Sequence, residues 1–342
     1  GVNDAPALKK AMVGIAMAAA GAGYWALGAQ QLTNQLSLAL VLLWLVKWRP
    51  RALFSWARVR ELIRFGWKLL ASSLLETGYN NLRTAVIGKK YAQETLGFYN
   101  RGKQFPELVM NAVNGSIQSV MLPVLADEQD DVSRMKQMMR RSVMVSSFLV
   151  LPMMAGLAAV AEPLVRLLLT DKWLPCVPFL QICCIDFAFY PIHTANLQAI
   201  NAMGRSDVFL RLELIKKSYG LLILAATVFL FDSVYAIAWG AVASTLLAAV
   251  VNASPNRKLL GYGYLEQMRD VLPALALSAV MFAAVWALGQ LPLSPLPLLV
   301  LQVLAGAAIY GGLALLLRLE SMRYLMDMLR GLAARRRGEA KA

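Results

Sequence analysis

Charged residues are scarce in this sequence: Asp, Glu, Lys and Arg make up only 16% of its 342 residues. A soluble domain typically carries about 25% charged residues, so a soluble enzyme or a soluble nucleic-acid-binding domain is not expected. Hydrophobic residues reach 58%, and they fall in blocks of membrane-spanning length. The sequence therefore predicts an all-α, polytopic membrane helix bundle.

Residues that build metal and redox sites are also rare. The chain has one histidine and three cysteines, Cys176, Cys183 and Cys184, with no CxxC spacing. We therefore expect no metal site, disulfide framework or cofactor. GxSxG, Walker A and HExxH motifs are absent, and no loop between predicted spans could hold a folded domain of roughly 50 residues or more. An enzyme is not expected.

The apolar blocks predict about ten transmembrane helices. A short one precedes Gly21, and the others lie near 25–46, 65–87, 105–125, 143–161, 177–199, 218–231, 234–251, 271–288 and 296–317.

The net charge of +14 comes from Lys and Arg in the loops between these blocks. Most of the 34 basic residues fall in alternate loops, including 47–68 and 318–342, which predicts that these loops are cytoplasmic. The protein is then a multi-pass protein of the inner (cytoplasmic) membrane with a cytoplasmic C-terminus. We interpret the polybasic tail as a contact with anionic membrane lipids and expect no nucleic-acid partner. The basic external loop 89–104 either meets an anionic substrate or is simply solvated.

One predicted span, 65–87, carries two charges inside an otherwise apolar segment. Glu76, Asn80 and Arg83 follow helical spacing, and seven residues is about two helical turns, so all three lie on one face. Charged side chains in lipid are costly and usually face other helices or water.

Polar residues at helical spacing recur in two further spans. These sets are Glu107, Asn111, Asn114 and Gln118, and Asp186, His193 and Asn196. Together with Glu76, Asn80 and Arg83 they predict a hydrated substrate cavity between helices. Two other interpretations stay open: the polar groups only bond one another across helices, and His193 is either a packed, hydrogen-bonded residue or a proton carrier.

The first seventeen residues, GVNDAPALKKAMVGIAM, resemble the hinge motif of P-type ATPases. In that family the Asp of GVNDAP helps hold the catalytic magnesium, which would give Asp4 that role. The phosphorylated DKTGT loop of that family does not occur in this sequence. We therefore interpret residues 1–12 as a non-native junction, and a chain that starts with Gly1 is expected to begin inside a longer gene product.

The remainder resembles another family. The motifs are, in order, GYWALGAQQ, FGWKLL, NNLRTAVIGK, LGFYNRGKQFP, LPVL, LLLTDKW, PIHTANLQAI and GRSD. They are similar to motifs of the Wzx-type flippases for lipid-linked oligosaccharides, in the multidrug/oligosaccharidyl-lipid/polysaccharide exporter superfamily. The resemblance covers residues 13–342.

That resemblance implies fourteen helices, in two six-helix lobes with a cavity between them and a final pair of helices. This chain would lack the first helices. It would consist of the junction 1–12, the last two helices of the first lobe (13–47), a basic cytoplasmic loop (48–64), the second lobe (65–253), the final pair (254–317) and a basic tail (318–342).

The implied function is flipping of undecaprenyl-diphosphate-linked oligosaccharide for cell-surface polysaccharide, including lipopolysaccharide, biosynthesis. Arg83 would contact the diphosphate or an acidic sugar. Implied partners are the lipid-linked oligosaccharide, membrane lipids, and the polysaccharide polymerase and glycosyltransferases of the pathway. Two alternatives remain: a cation- or proton-coupled drug exporter of the same superfamily, and a fragment of or fusion to a P-type ATPase.

Overall fold

The computed structural model describes residues 25–45, 55–127, 131–324 and 326. Every regular element in these ranges is helical, and they contain no strand, so the all-α prediction is confirmed. The short predicted span before Gly21, the junction 1–12 and most of the tail 318–342 lie outside the described residues.

The chain divides into two units, Gly1–Arg60 and Glu61–Ala342. The described α-helices are α1 (Trp25–Leu45), α2 (Trp56–Lys90), α3 (Gln93–Asp127), α4 (Val132–Ala159), α5 (Ala161–Leu169), α6 (Val177–Ala188), α7 (Tyr190–Ala202), α8 (Ser206–Leu230), α9 (Val234–Leu259), α10 (Tyr264–Leu288) and α11 (Pro295–Leu316). A short 3-10 helix, Asp171–Cys176, precedes α6.

Five stretches are long and apolar enough to cross a membrane. They are α4, the stretch Asp171–Ala202 that contains α6 and α7, and helices α9, α10 and α11. The chain is thus a multi-pass helical membrane protein, as its composition indicates. Helices α1, α2, α3 and α8 also cover predicted spans but are not among these five of the described chain, so the total of about ten spans stays a prediction.

Helix α2 begins earlier than the sequence indicates. It starts at Trp56, inside the stretch 48–64 that was assigned to a loop because it is basic. Between Trp56 and Phe65 there is no Pro or Gly, and Ala, Arg and Glu all have good helix propensity. A basic flank therefore continues the helix instead of ending it.

The span predicted over 177–199 is broken in the middle. Helix α6 ends at Ala188 and α7 begins at Tyr190, with Pro191 as the second residue of α7. Proline has no N–H to donate to the carbonyl four residues earlier, and it disfavours helical geometry in the residue before it. The result is a discontinuous span, an arrangement that many transporters use at their binding sites.

A buried apolar core joins α4, α7, α9, α10 and α11. Met139, Ile192 and Met281 are nearly inaccessible to solvent within it. The Tyr310 hydroxyl of α11 donates a 2.8 Å hydrogen bond to the Phe148 carbonyl of α4. Burial of large apolar side chains together with this bond holds the final helix pair on the lobe.

Helix α2 is held differently along its length. Near its C-terminal end, Ile87 is fully buried against Tyr99, Phe179 and Leu224. Further toward its N-terminus, α2 contacts α8 through polar groups. One of these contacts is a 3.1 Å hydrogen bond from the Tyr79 hydroxyl to the Gly220 carbonyl. A polar cavity lies beside these contacts.

Candidate functional site

A cavity of about 560 Å³ is lined by residues of α2, α3, α6, α7, α8 and α9. Six of the ten side chains proposed from the sequence line it together: Glu76, Asn80, Arg83, Glu107, Asp186 and His193. They come from α2, α3 and the pair α6 and α7, of which only the pair lies in a stretch that is long and apolar enough to cross a membrane; polar stripes that face each other or water are expected in such a protein.

The other four residues are not placed there. Asn111 lies on an exposed face of α3, and the side chains of Asn114 and Gln118 lie outside the described residues. Asn196 is fully buried on another face of α7, where its amide and that of Gln267 exchange hydrogen bonds of 2.7 and 3.0 Å. Asn196 is therefore part of a structural contact between helices.

Several charged side chains of the cavity form ion pairs with one another. Lys217 of α8 pairs with Glu76 of α2, and the neighbouring Lys216 contacts Glu213 at 2.5 Å. Glu213 is also 3.8 Å from Lys217. This group of two lysines and two glutamates is balanced in charge, as groups removed from bulk water must be.

Two cations in the cavity have no such partner. Within the described part of the chain, neither Arg83 nor Lys103 has a carboxylate oxygen within 4.0 Å. The Arg83 guanidinium donates a 3.1 Å hydrogen bond to the Tyr79 hydroxyl and lies 5.0 Å from the centre of that ring. Arg83 thus has a fixed position and retains donor groups that can bind an anion.

Hydrogen bonds also order the cavity residues supplied by α6, α7 and α9. Asp186 accepts a 2.5 Å hydrogen bond from Thr245, and His193 Nδ1 lies 3.1 Å from the Asn252 side-chain nitrogen. His193 Nε2 is buried, with no hydrogen-bond partner among the described residues. These contacts place His193 in a hydrogen-bonded setting and leave both of its interpretations from the sequence open.

Tyr99 and Lys103 also line the cavity; they were assigned from the sequence to the basic external loop 89–104, whereas they lie in α3, which begins at Gln93. The signal was available, because Tyr99, Lys103 and Glu107 are four residues apart and so share a helix face. Lys216 and Lys217 were missed for a similar reason. They were assigned to a basic loop, whereas they lie eleven and twelve residues into α8 by its start at Ser206.

A second, apolar cleft of about 770 Å³ lies between α4, α6, α9 and α10. Its lining includes Trp239, Phe282 and Trp286, and Ile182 lines both this cleft and the polar cavity. All four helices belong to membrane-spanning stretches. A polar and an apolar compartment therefore adjoin within the membrane.

The lining of the cavity suits the binding of a polar, anionic ligand. Among the described residues, no group of three or more His, Cys, Asp and Glu side chains could hold a metal ion. Fixed cations, amides and aromatic rings in a hydrated cavity can bind a polar, anionic ligand without changing its bonds.

Several relatives of this chain are named for the biosynthesis or transport of cell-surface polysaccharides. The succinoglycan biosynthesis transport protein ExoT of Rhizobium meliloti (strain 1021) is 26% identical over 94% of this chain and 65% of its own length. The teichuronic acid biosynthesis protein TuaB of Bacillus subtilis (strain 168) is 24% identical over 79% of this chain and 57% of its own length. The lipopolysaccharide biosynthesis protein WzxC of Escherichia coli (strain K12) is 26% identical over 49% of this chain and 34% of its own length. The chain spans less than two thirds of the length of each.

A solved structure has the same fold. The lipid II flippase MurJ, in an inward closed conformation, aligns with a TM-score of 0.68 over 95% of this chain and 68% of that chain, at 14% sequence identity. Two of these similar proteins are named as a transport protein and a flippase, and none is named as an enzyme.

The sequence profile of one family matches residues 5–178, which is more than half of the chain. Its description, polysaccharide biosynthesis protein, agrees with the names of the relatives and with the resemblance found in the sequence motifs. The chain therefore belongs to the polysaccharide biosynthesis protein family.

Proposed function

We propose that this chain provides the second lobe and the final helix pair of a flippase for undecaprenyl-diphosphate-linked oligosaccharide. The cavity between α2 and α8 would receive the diphosphate and the first sugars. The observation that carries this proposal is that Arg83 and Lys103 line a polar cavity in a membrane protein without a carboxylate oxygen within 4.0 Å in the described residues. Glu107 and Asp186 line the same cavity at longer range, and the cations therefore keep donor groups that an anionic ligand can use.

The lipid part of the substrate fits the second compartment. A polyprenyl chain is purely apolar, and the cleft that shares Ile182 with the polar cavity is lined mainly by apolar side chains. The head group could then cross in the polar cavity while the tail stays in hydrocarbon. Rocking of this lobe against a first lobe would expose the cavity to each side in turn.

The pathway and orientation of the chain follow from the same proposal. The substrate would be supplied by glycosyltransferases on the cytoplasmic side and consumed by a polysaccharide polymerase on the other side. The basic segments 47–68, which includes the start of α2, and 318–342 would be cytoplasmic, with the chain in the inner membrane.

Charge-neutral variants of the two cations test this function in a strain that lacks its flippase, with an intact first lobe supplied. Arg83→Gln and Lys103→Gln are each expected to lower surface polysaccharide about tenfold, because each removes a charged hydrogen-bond donor to the ligand. Arg166→Gln is the matched control, since Arg166 of α5 is satisfied by Glu162 and Asp171 outside the cavity.

Unchanged polysaccharide in the Arg83→Gln and Lys103→Gln strains would contradict the proposed role of the cavity. Resistance of the wild-type strain to cationic drugs, without an effect on surface polysaccharide, would favour the drug exporter instead.

A further inference from the structure

Lys217 of α8 is a paired cation of the cavity that reaches across to α2. Its ammonium group pairs with Glu76, and its side chain is only 13% exposed, whereas that of Glu76 is 49% exposed. The two partners are therefore unequal: the lysine is held inside the protein, and the carboxylate reaches it from the cavity side.

The same lysine shares an aromatic ring with the unpaired arginine. Lys217 Nζ lies 4.8 Å from the centre of the Tyr79 ring, and Arg83 Cζ lies 5.0 Å from it. Both contacts are cation–π interactions. Tyr79 therefore contacts both cations, so Arg83 and Lys217 border the same part of the cavity.

We propose that Lys217 is a third cation of the anion-binding site and that Glu76 occupies its place until an anionic ligand arrives. This inference rests on the proposed function and adds to it a binding residue and a competing carboxylate. The ligand group is a diphosphate, or another anion with two charged oxygen centres, that contacts Arg83 and Lys217 together.

Charge balance favours such an exchange. A lysine as enclosed as Lys217 needs an anionic partner, and replacing one anion by another keeps the group with Lys216 and Glu213 close to neutral. The half-exposed Glu76 can turn into the water of the cavity at little cost, because ion pairs with a solvated partner contribute only modestly. Exchange also releases one of the contacts that join α2 to α8.

The test is binding of labelled inorganic pyrophosphate to the purified full chain in lipid nanodiscs at constant ionic strength. Glu76→Gln removes the competing charge and is expected to tighten binding about fivefold, whereas Lys217→Met is expected to weaken it. In the Lys217→Met background, Glu76→Gln should not increase the affinity for pyrophosphate. Lys217→Arg keeps the charge and should keep the response to Glu76→Gln.

Glu162→Gln is the matched control, because Glu162 forms an ion pair with Arg166 outside the cavity; it should leave pyrophosphate binding unchanged. Size-exclusion profiles establish that each variant is folded.

If wild-type binding depends on Arg83 but Glu76→Gln does not tighten it, the proposal that Glu76 competes with the ligand is wrong, although the anion site itself is supported. If the gain persists in the Lys217→Met background, Lys217 is not the residue that Glu76 blocks. If no Arg83-dependent binding occurs at all, the proposed anion site is wrong, and the proposed role of Lys217 and Glu76 is wrong as well.

Discussion

At the scale of single residues, Tyr79 organises the candidate site. Its hydroxyl donates to the Gly220 carbonyl and accepts from Arg83, and its ring lies against Lys217. Gly220 allows this approach, because a Cβ there would lie 3.0 Å from the Tyr79 hydroxyl oxygen. One aromatic side chain therefore fixes the geometry of two cations that the sequence alone did not connect.

This arrangement predicts that Gly220→Ala damages the site at a distance. The added methyl group would lie 3.0 Å from the Tyr79 hydroxyl oxygen, so Tyr79 must shift by a few tenths of an ångström, and we expect this shift to weaken its hydrogen bonds to Gly220 and Arg83. Pyrophosphate affinity is expected to fall about fivefold, the effect of losing roughly one hydrogen bond. Gly78→Ala is the control on the neighbouring helix, since a Cβ at Gly78 meets nothing within 4 Å. Equal affinities for the two variants would show that the contact between Tyr79 and Gly220 does not position the cations.

At the scale of helices, a cluster of buried amides joins α7, α9 and α10. Asn196, Asn256 and Gln267 are all inaccessible to solvent, and Asn256 donates a 2.8 Å hydrogen bond to the Asn196 side-chain oxygen. Asn196 donates to Gln267 and accepts from it as well. Each amide in this cluster depends on the others, since water cannot replace a lost partner there.

Asn196→Ala should therefore destabilise the lobe without touching the cavity. It leaves the side chains of Gln267 and Asn256 short of partners, at a cost of about 2 kcal/mol or more in unfolding free energy. The measurement is a thermal-shift assay in detergent, with Asn111→Ala on the exposed face of α3 as the control. Similar melting temperatures for the two variants would rule out a structural role for the cluster.

The helix scale also explains which parts of the site could be predicted from the sequence. Glu76, Asn80 and Arg83 lie on an unbroken helix, so residue spacing alone was enough to bring them to one face. For Asn196 the same argument failed: it lies three residues after His193, a spacing that also favours one face. Its side chain, however, packs against Gln267 and Asn256, contacts that spacing does not reveal. Lys216 and Lys217 were assigned to a loop because they are basic. Their carboxylate partners, Glu213 and Glu76, allow them to lie on a helix beside the cavity, and the spacing of residues along the chain does not reveal the pairing with Glu76.

At the scale of the whole molecule, a polar cavity and an apolar cleft adjoin inside one membrane-spanning unit. The all-α class and the family could be predicted, because long apolar blocks and ordered motifs are local properties of the sequence. The break between α6 and α7, beside the cavity residues Phe187 and Tyr190, was less accessible: Pro191 was compatible with a kink as well as with a helix start.

The orientation of the unit in the membrane is open to a direct test. The three native cysteines are buried, so an added surface cysteine can report accessibility. With the basic loops in the cytoplasm, Lys172→Cys, after α5, should react with a membrane-impermeant maleimide in intact cells, whereas Asp207→Cys, at the start of α8, should react only after the cells are opened. Both native side chains are exposed. The reverse pattern of labelling would invert the proposed topology.

The central claim is that the cavity binds the diphosphate of a polyprenyl-linked substrate through Arg83 and Lys103. Native mass spectrometry of the full chain with undecaprenyl diphosphate measures this directly, with undecaprenyl monophosphate as the competing lipid. The account predicts preferential retention of the diphosphate by the wild type, and at least about a tenfold loss of that preference in the Arg83→Gln/Lys103→Gln double variant, because each cation supplies a charged hydrogen bond. Equal retention of the two lipids by the wild type, or an unchanged preference in the double variant, would contradict it.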